Sequence, residues 1–175
     1  MAIRTIITEP NKILRQKSLP VNSVGKEEQK LMDDMLETMY AANGIGLAAI
    51  QIGVPKRIIV MDISKDGKKN PMYFVNPKIK NKHKEKSTYE EGCLSVPNYF
   101  AEVDRPKKCE VNYLDYFGKK QTLKVDGLLA TCIQHEMDHL EGILFIDHLS
   151  NMKRNMIVKK LIKTRKQSKK ERIVA

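Results

Sequence analysis

A chain of 175 residues has room for one domain with a substantial core and too little for two. Apolar residues at 41% and charged residues at 30% indicate a soluble globular protein, and the lack of any run of about 18 apolar residues excludes a transmembrane helix. The formal charge of +11 gathers at one end, because after Ser150 ten Lys/Arg stand against Glu171 alone.

The N-terminal stretch Met1 to Pro10 lacks the apolar core and small-residue cleavage site of a signal peptide. The three cysteines, Cys93, Cys109 and Cys132, are scattered and odd in number, which argues against a disulfide framework. A reducing cytoplasm is therefore the expected location. Lys26 to Asn43 reads as an amphipathic helix, with Leu31, Met32, Met35, Leu36, Met39 and Tyr40 at helical spacing and Asn43-Gly44 as the cap. The next ten residues are too glycine-rich to assign. Arg57 to Ile63 is a β-branched run that reads as a buried strand, ended by the turn residues Ser64 to Gly67. Tyr73 to Val75 is a second short strand, and Lys78 to Tyr89 suits an exposed strand or hairpin arm. Glu110 to Leu114 and Gln121 to Val125 flank Asp115-Tyr116-Phe117-Gly118 and read as a hairpin. Asp126 is placed to cap a helix from about Leu128 to Leu140, closed by Gly142. A last helix starts near Leu149 or Ser150, with Leu149, Met152, Met156, Leu161 and Ile162 on one side and cations on the other. The order predicts an α+β fold: mostly antiparallel sheets packed around a central helix, Leu128 to Leu140, with an N-terminal helix and a basic C-terminal helix. The composition shift near residue 150 divides the chain into 1–150, the expected main unit, and 151–175, a basic helix and tail of the same domain.

Gln134-His135-Glu136-Met137-Asp138-His139 carries the most chemistry. Residues i and i+4 share one face of a helix, so His135 and His139 can share a metal ion, while Glu136 lies beside them to handle a proton. A catalytic site of this kind takes three protein ligands and keeps a fourth position open. Cys93, in Glu91-Gly92-Cys93-Leu94-Ser95, is the candidate third ligand: a soft thiolate next to a glycine that permits close backbone approach. Taken alone it reads as a small buried hydrophobe; the neighbouring His-Glu motif turns the balance. Gln51 follows an apolar, small-residue stretch, and a buried amide requires partners, one of which could be a carbonyl oxygen developing negative charge. Cys132 reads as packing or pocket lining, Cys109 as structural, and His83 as a solvated side chain. His148 lies past the helix end with no partner spacing.

Gly44-Ile45-Gly46-Leu47-Ala48-Ala49-Ile50-Gln51, Glu91 to Ser95 and Gln134 to His139 together resemble the three signature motifs of the peptide deformylase family, in the family's order, with the likeness extending over roughly residues 1 to 165. The resemblance implies an enzyme that removes the N-formyl group from the initiator methionine of new polypeptides and releases formate. It implies Cys93, His135 and His139 as metal ligands and Glu136 as general acid/base, with Gln51 and the Leu94 backbone N–H forming the oxyanion hole. Ile45 and Gly46 would bind the peptide backbone as an added strand. Ile45, Leu128, Thr131 and Cys132 are candidates to line the methionine slot, with Tyr89 a weaker one. Ferrous iron is the implied metal in the cell, with Zn2+, Ni2+ or Co2+ able to occupy the site. Two positions depart from common relatives: Thr131 stands where a larger aliphatic is frequent, and Phe100 where many carry an arginine.

Two other classes compete. An H-E-x-x-H metalloprotease would cleave internal peptide bonds, but it draws its third ligand downstream, where Glu141 and His148 have unsuitable spacing. A nucleic-acid-binding module would rest on the basic tail, which has no aromatic residue after Phe145 for stacking. Formyl-methionyl nascent peptides are thus the expected partners, with the ribosome surface a further one through the tail, and neither a membrane nor a specific nucleic acid is expected.

Overall fold

The structure, a computed structural model, describes residues 2–64 and 67–174, with the side chains of 168–174 left out. Strands β1 (Gly46–Ala48), β2 (Ile58–Met61), β3 (Met72–Lys82), β6 (Lys108–Leu114) and β7 (Lys120–Asp126) form one antiparallel sheet in the order β1-β2-β3-β6-β7. Strands β4 (Lys86–Cys93) and β5 (Val96–Pro106) form a separate antiparallel ribbon. Helices α1 (Lys26–Ala41), α2 (Gly127–Leu140) and α3 (Asn151–Val174) complete the α+β fold, with short 3-10 turns at Lys12–Arg15, Ala49–Ile52 and Phe145–His148.

β2 shows why the sheet sits where it does. All four of its residues are buried, and successive side chains point to opposite faces. Ile58 and Val60 join Met32, Met35 and Met39 of α1. Ile59 and Met61 join Phe74 and Val111 of the sheet and Ala130, Cys132, Ile133 and Leu140 of α2. The sheet is thus held between two helices, and α2 is packed where its polar face can meet the ribbon. A third cluster joins Val96 and Val103 of β5 to Leu144, Phe145 and Ile146, and to Ile157 and Leu161 of α3.

The cap of α1 agrees with its sequence. Asn43 adopts φ 54°, its N–H donates to Tyr40 O and that of Gly44 to Met39 O, the paired bonds of a Schellman ending. Other elements differ from expectation. Tyr73 to Val75 and the start of Lys78 to Tyr89 are one long strand, β3, bent at Asn76 (φ 50°), where the ladder slips register. The remainder of that segment belongs to β4 in the other sheet. β5 was not anticipated. Asp126 stands at the N-cap of α2, yet its side chain makes no capping bond; it is 71% exposed near Lys108. In α3 the inward side chains are Ile157 and Leu161, whereas Met152 (82% exposed) and Met156 face out. No helix among the described residues is long and apolar enough to cross a membrane.

Candidate metal centre and cleft

Helical spacing stacks His135 and His139 one turn apart on α2, their ring centroids 5.0 Å from each other. Cys93, the last residue of β4, reaches the same face, with Sγ 3.3 Å from His139 Nε2. The three donor atoms lie within 4.8 Å of one another, and no other group of three His, Cys, Asp or Glu among the described residues is so arranged. One thiolate and two imidazoles form a fitting set for a divalent transition metal, and three ligands leave room for a fourth.

The surroundings hold these donors in place. Glu91 Oε2 lies 2.8 Å from His135 Nδ1, which leaves the opposite ring nitrogen for the centre. Arg105, itself buried, donates to both oxygens of Glu91 and, at 2.8 Å, to Asp138 Oδ2. Burial opposes charge on Glu91, but the bonds from Arg105 and His135 keep its carboxyl below the usual range. Burial also opposes charge on His135; bonding to Cys93 and Glu91 prevails and holds its pKa well above the ordinary imidazole value. Burial, followed by the neighbouring charge of His135, pushes His139 well below it.

Glu136 occupies the adjoining wall, 4% exposed, and burial pushes its carboxyl up to about 7. Its Oε2 is buried with no hydrogen-bond partner among the described residues. Gly46 backs directly onto it: a Cβ at Gly46 would lie 2.4 Å from Glu136 Oε1. Gln51 sits in the 3-10 turn after β1, its Oε1 accepting from Ala48 N at 2.8 Å. Its Nε2 donates to Ser95 Oγ at 3.0 Å and lies 3.6 Å from Cys93 Sγ, so one amide hydrogen is committed and the other faces the centre. Leu94 lies in the two-residue turn between β4 and β5, with its side chain against Gly44.

A cleft of about 520 Å³ opens over the centre. Cys93, His135, Glu136, Gln51 and Leu94 line it, as do Ile45, Gly46, Leu128, Thr131 and Cys132; Tyr89 and Phe100 stand at its margin. Of the site residues named from sequence only His139 does not line the cleft, being almost wholly buried. Thr131 and Cys132 are buried in the wall, while Ile45 and Leu128 are partly exposed at the rim. Glu91 and Arg105 were missed as supports, although Glu91 was legible: two residues before Cys93 on a strand, it shares that residue's face. His148 was misjudged, because its Nε2 lies 2.7 Å from Asp138 Oδ2. Residue spacing hides a contact made where the chain doubles back after Gly142.

A family model described as polypeptide deformylase matches residues 3–155. The chain belongs to the peptide deformylase family. It is 73% identical to a peptide deformylase of Pelagibacter ubique over 164 residues, which cover 93% of this chain and 95% of that one. Among solved structures, a peptide deformylase from Ehrlichia chaffeensis in complex with actinonin superposes with TM-score 0.90 at 44% identity, covering 94% of this chain and 98% of its own. One from Legionella pneumophila gives 0.88 at 46% identity, covering 95% and 98%. The chain is accordingly a metal-dependent hydrolase that removes the N-formyl group from nascent polypeptides. The protease reading loses its remaining ligands: Glu141 pairs with Arg57 and Lys17, and His148 with Asp138.

Proposed function

We propose that deformylation takes place in this cleft, with Cys93, His135 and His139 holding one divalent ion and Glu136 moving the protons. The observation that supports it best is the convergence of a Cys-His-His donor set, within 4.8 Å, on a buried carboxylate whose Oε2 has no partner among the described residues. An ion bound there supplies a Lewis acid that acidifies water and polarises a carbonyl. Ferrous iron is the ion we assign in the cell; Zn2+, Ni2+ or Co2+ suit the same donors.

The protein's own groups account for the remaining steps. Glu136 takes the proton of the water that attacks the formyl carbon and returns it to the departing amine. The second hydrogen of the Gln51 amide, directed at Cys93 Sγ, joins the Leu94 N–H in steadying the carbonyl oxygen as it gains charge. Ile45 and Gly46 hold the peptide backbone beside β1, an edge strand. Leu128, Thr131 and Cys132 receive the methionine side chain. A formyl group carries only hydrogen beyond its carbonyl, so a tight centre admits it and excludes larger acyl groups.

We assign residues 1–150 to the catalytic unit and 151–175 to a basic accessory helix of the same domain, working in the cytoplasm. The tail is read as a ribosome contact, cationic toward RNA phosphate. Because Ile157 and Leu161 are buried, the tail is best removed after Thr164, which spares them. The truncated chain is expected to pellet less with ribosomes at low salt, and equal pelleting would refute the contact. For the centre itself the test is Cys93→Ala, expected to lose most of its bound metal and its release of formate. Retention of both at the unmodified level would refute the ligand set.

A further inference from the structure

We propose that a second pocket, between the start of β3, the β6–β7 turn and α1, receives the guanidinium of an arginine presented by a basic partner protein. This pocket, about 510 Å³, shares no lining residue with the cleft over the metal centre. Tyr73, Tyr113, Tyr116 and Phe117 form its walls with the carboxylates of Asp33 and Asp115, and no lysine, arginine or histidine lines it. On a chain of net charge +11, a wall of rings and carboxylates free of cations is complementary to a positive guest.

Phe117 is the residue that calls for a reason. It is 70% exposed in a turn, where small polar residues are the usual choice. The turn is nevertheless firmly held. Asp115 Oδ1 accepts from the N–H groups of Phe117 and Lys119 at 2.9 Å each, and its Oδ2 accepts from Gln121 Nε2 at 2.9 Å. Gln29 of α1 donates to Tyr116 O at 3.2 Å, and a Cβ at Gly118 would lie 3.2 Å from Val24 Cβ. A ring presented on so fixed a turn loses little freedom when a guest arrives.

The rings form a corner. The centroids of Tyr73 and Tyr116 are 4.9 Å apart with planes at 58°, and those of Tyr116 and Phe117 are 5.2 Å apart at 82°. The Tyr116 hydroxyl donates to Asp33 Oδ2 at 3.2 Å, and Asp33 makes no ion pair among the described residues. Burial, and after it the charge of Asp33, raises the phenol pKa of Tyr73 and Tyr116 above the ordinary value, so both rings stay neutral beside a carboxylate. Guanidinium suits this combination better than ammonium, because it is flat, weakly hydrated, and able to stack on a ring while its N–H fork meets a carboxylate. About two turns along α1 from Asp33, Lys69 Nζ lies 4.3 Å from the Tyr40 ring centroid, so the same helix already carries one cation over a tyrosine. Free arginine is a poorer guest than an arginine within a chain. Its α-carboxylate would meet Asp33 and Asp115 with no cation in the lining to receive it.

The test is an NMR titration of the isotope-labelled full chain with acetyl-Gly-Arg-Gly-amide, read at the amides of Tyr116, Phe117 and Lys119. Lysine and citrulline versions of the peptide and free arginine serve as comparisons. The arginine peptide is expected to shift these signals with Kd on the order of millimolar, the lysine peptide and free arginine several-fold more weakly. Citrulline keeps the shape and lacks the charge, and should leave the signals in place. An exposed cation–ring contact is worth about two- to fivefold in affinity. Phe117→Ala should therefore weaken binding by about threefold and Asp33→Asn by at least as much, both with unchanged turnover of a formyl-methionyl peptide. Equal binding of the citrulline peptide, or arginine binding undiminished in both variants, would overturn the proposal. The rival occupant is the basic tail of a second copy. Self-association in sedimentation velocity that Phe117→Ala abolishes would overturn the assignment to a partner protein.

Discussion

Gly46→Ala perturbs Glu136, the proposed general acid/base, and changes neither a proposed metal ligand nor the carboxylate itself. Gly46 is not among the positive-φ residues, so alanine is allowed by the backbone. The difficulty is space: the new methyl would lie 2.4 Å from Glu136 Oε1, 2.9 Å from Cδ and 3.0 Å from Cγ. Ordinary contact begins at 3.4 Å, so Oε1 must retreat by about 1 Å. Glu136 is only 4% exposed and sits on a packed helix, and it can make room only by rotating its carboxylate away from its present place. A displacement near 1 Å at a reacting group costs about a hundredfold in rate. Overpacking in a tight region destabilises by about 1–3 kcal/mol. We therefore expect Gly46→Ala to fold, to bind metal in the same proportion as the unmodified chain, and to lose about a hundredfold in kcat. Steady-state kinetics with a formyl-methionyl peptide, alongside metal analysis and thermal unfolding, provides the check. A kcat within threefold or so of the unmodified value would refute the reasoning, as would loss of metal.

Gln51→Leu should lower kcat by about a hundredfold with little change in KM, the effect of losing one oxyanion donor; a change confined to KM would assign Gln51 to ground-state binding. Arg105→Leu leaves the buried Glu91 carboxylate without its guanidinium, while the partly exposed Asp138 keeps His148, and the loss should destabilise the fold by about 3–5 kcal/mol in denaturant titrations. Asp34 is buried and accepts from Arg4, Ala2 N and Lys30, which hold its carboxyl well below the usual range. A lowered folded pKa contributes stability that is fully present above the unfolded value of about 4 and is lost as pH falls toward the folded one. Unfolding free energy should accordingly drop below about pH 4, and Asp34→Asn should be less stable at neutral pH with a shallower acid dependence.

The parts of the site that a single helix carries were legible from spacing alone. His135 and His139 share a face by arithmetic, and Glu136 follows them. Cys93 needed the motif's company, since a strand-end cysteine has no periodic signal of its own. β5 escaped because its sequence, Val96 to Pro106, contains prolines at 97 and 106 and an asparagine at 98 with φ 67°. Those residues are breakers in a central strand, yet a two-stranded ribbon tolerates them where no N–H is required. β3 read as two pieces because Asn76-Pro77 suggests a turn. Asn76 instead binds both Val21 N and Val21 O through its side chain and bends a continuous strand. The face of α3 was read in part. Leu149 and Leu161 of the expected stripe pack with the cluster around Phe145 and Val103, but Met152 and Met156 face out and Ile157 turns in, because the apolar residues are sparse enough to fit more than one stripe.

In the mechanism we propose, Glu136 carries the protons at a metal centre that it does not itself ligate. Formate release should be measured for the unmodified protein and Glu136→Gln, both purified without oxygen and brought to equal metal content. We expect both to hold about one ion per chain and Glu136→Gln to be slower in kcat by about a hundredfold or more. Equal turnover at equal metal content, or an inability of Glu136→Gln to hold metal, would contradict it.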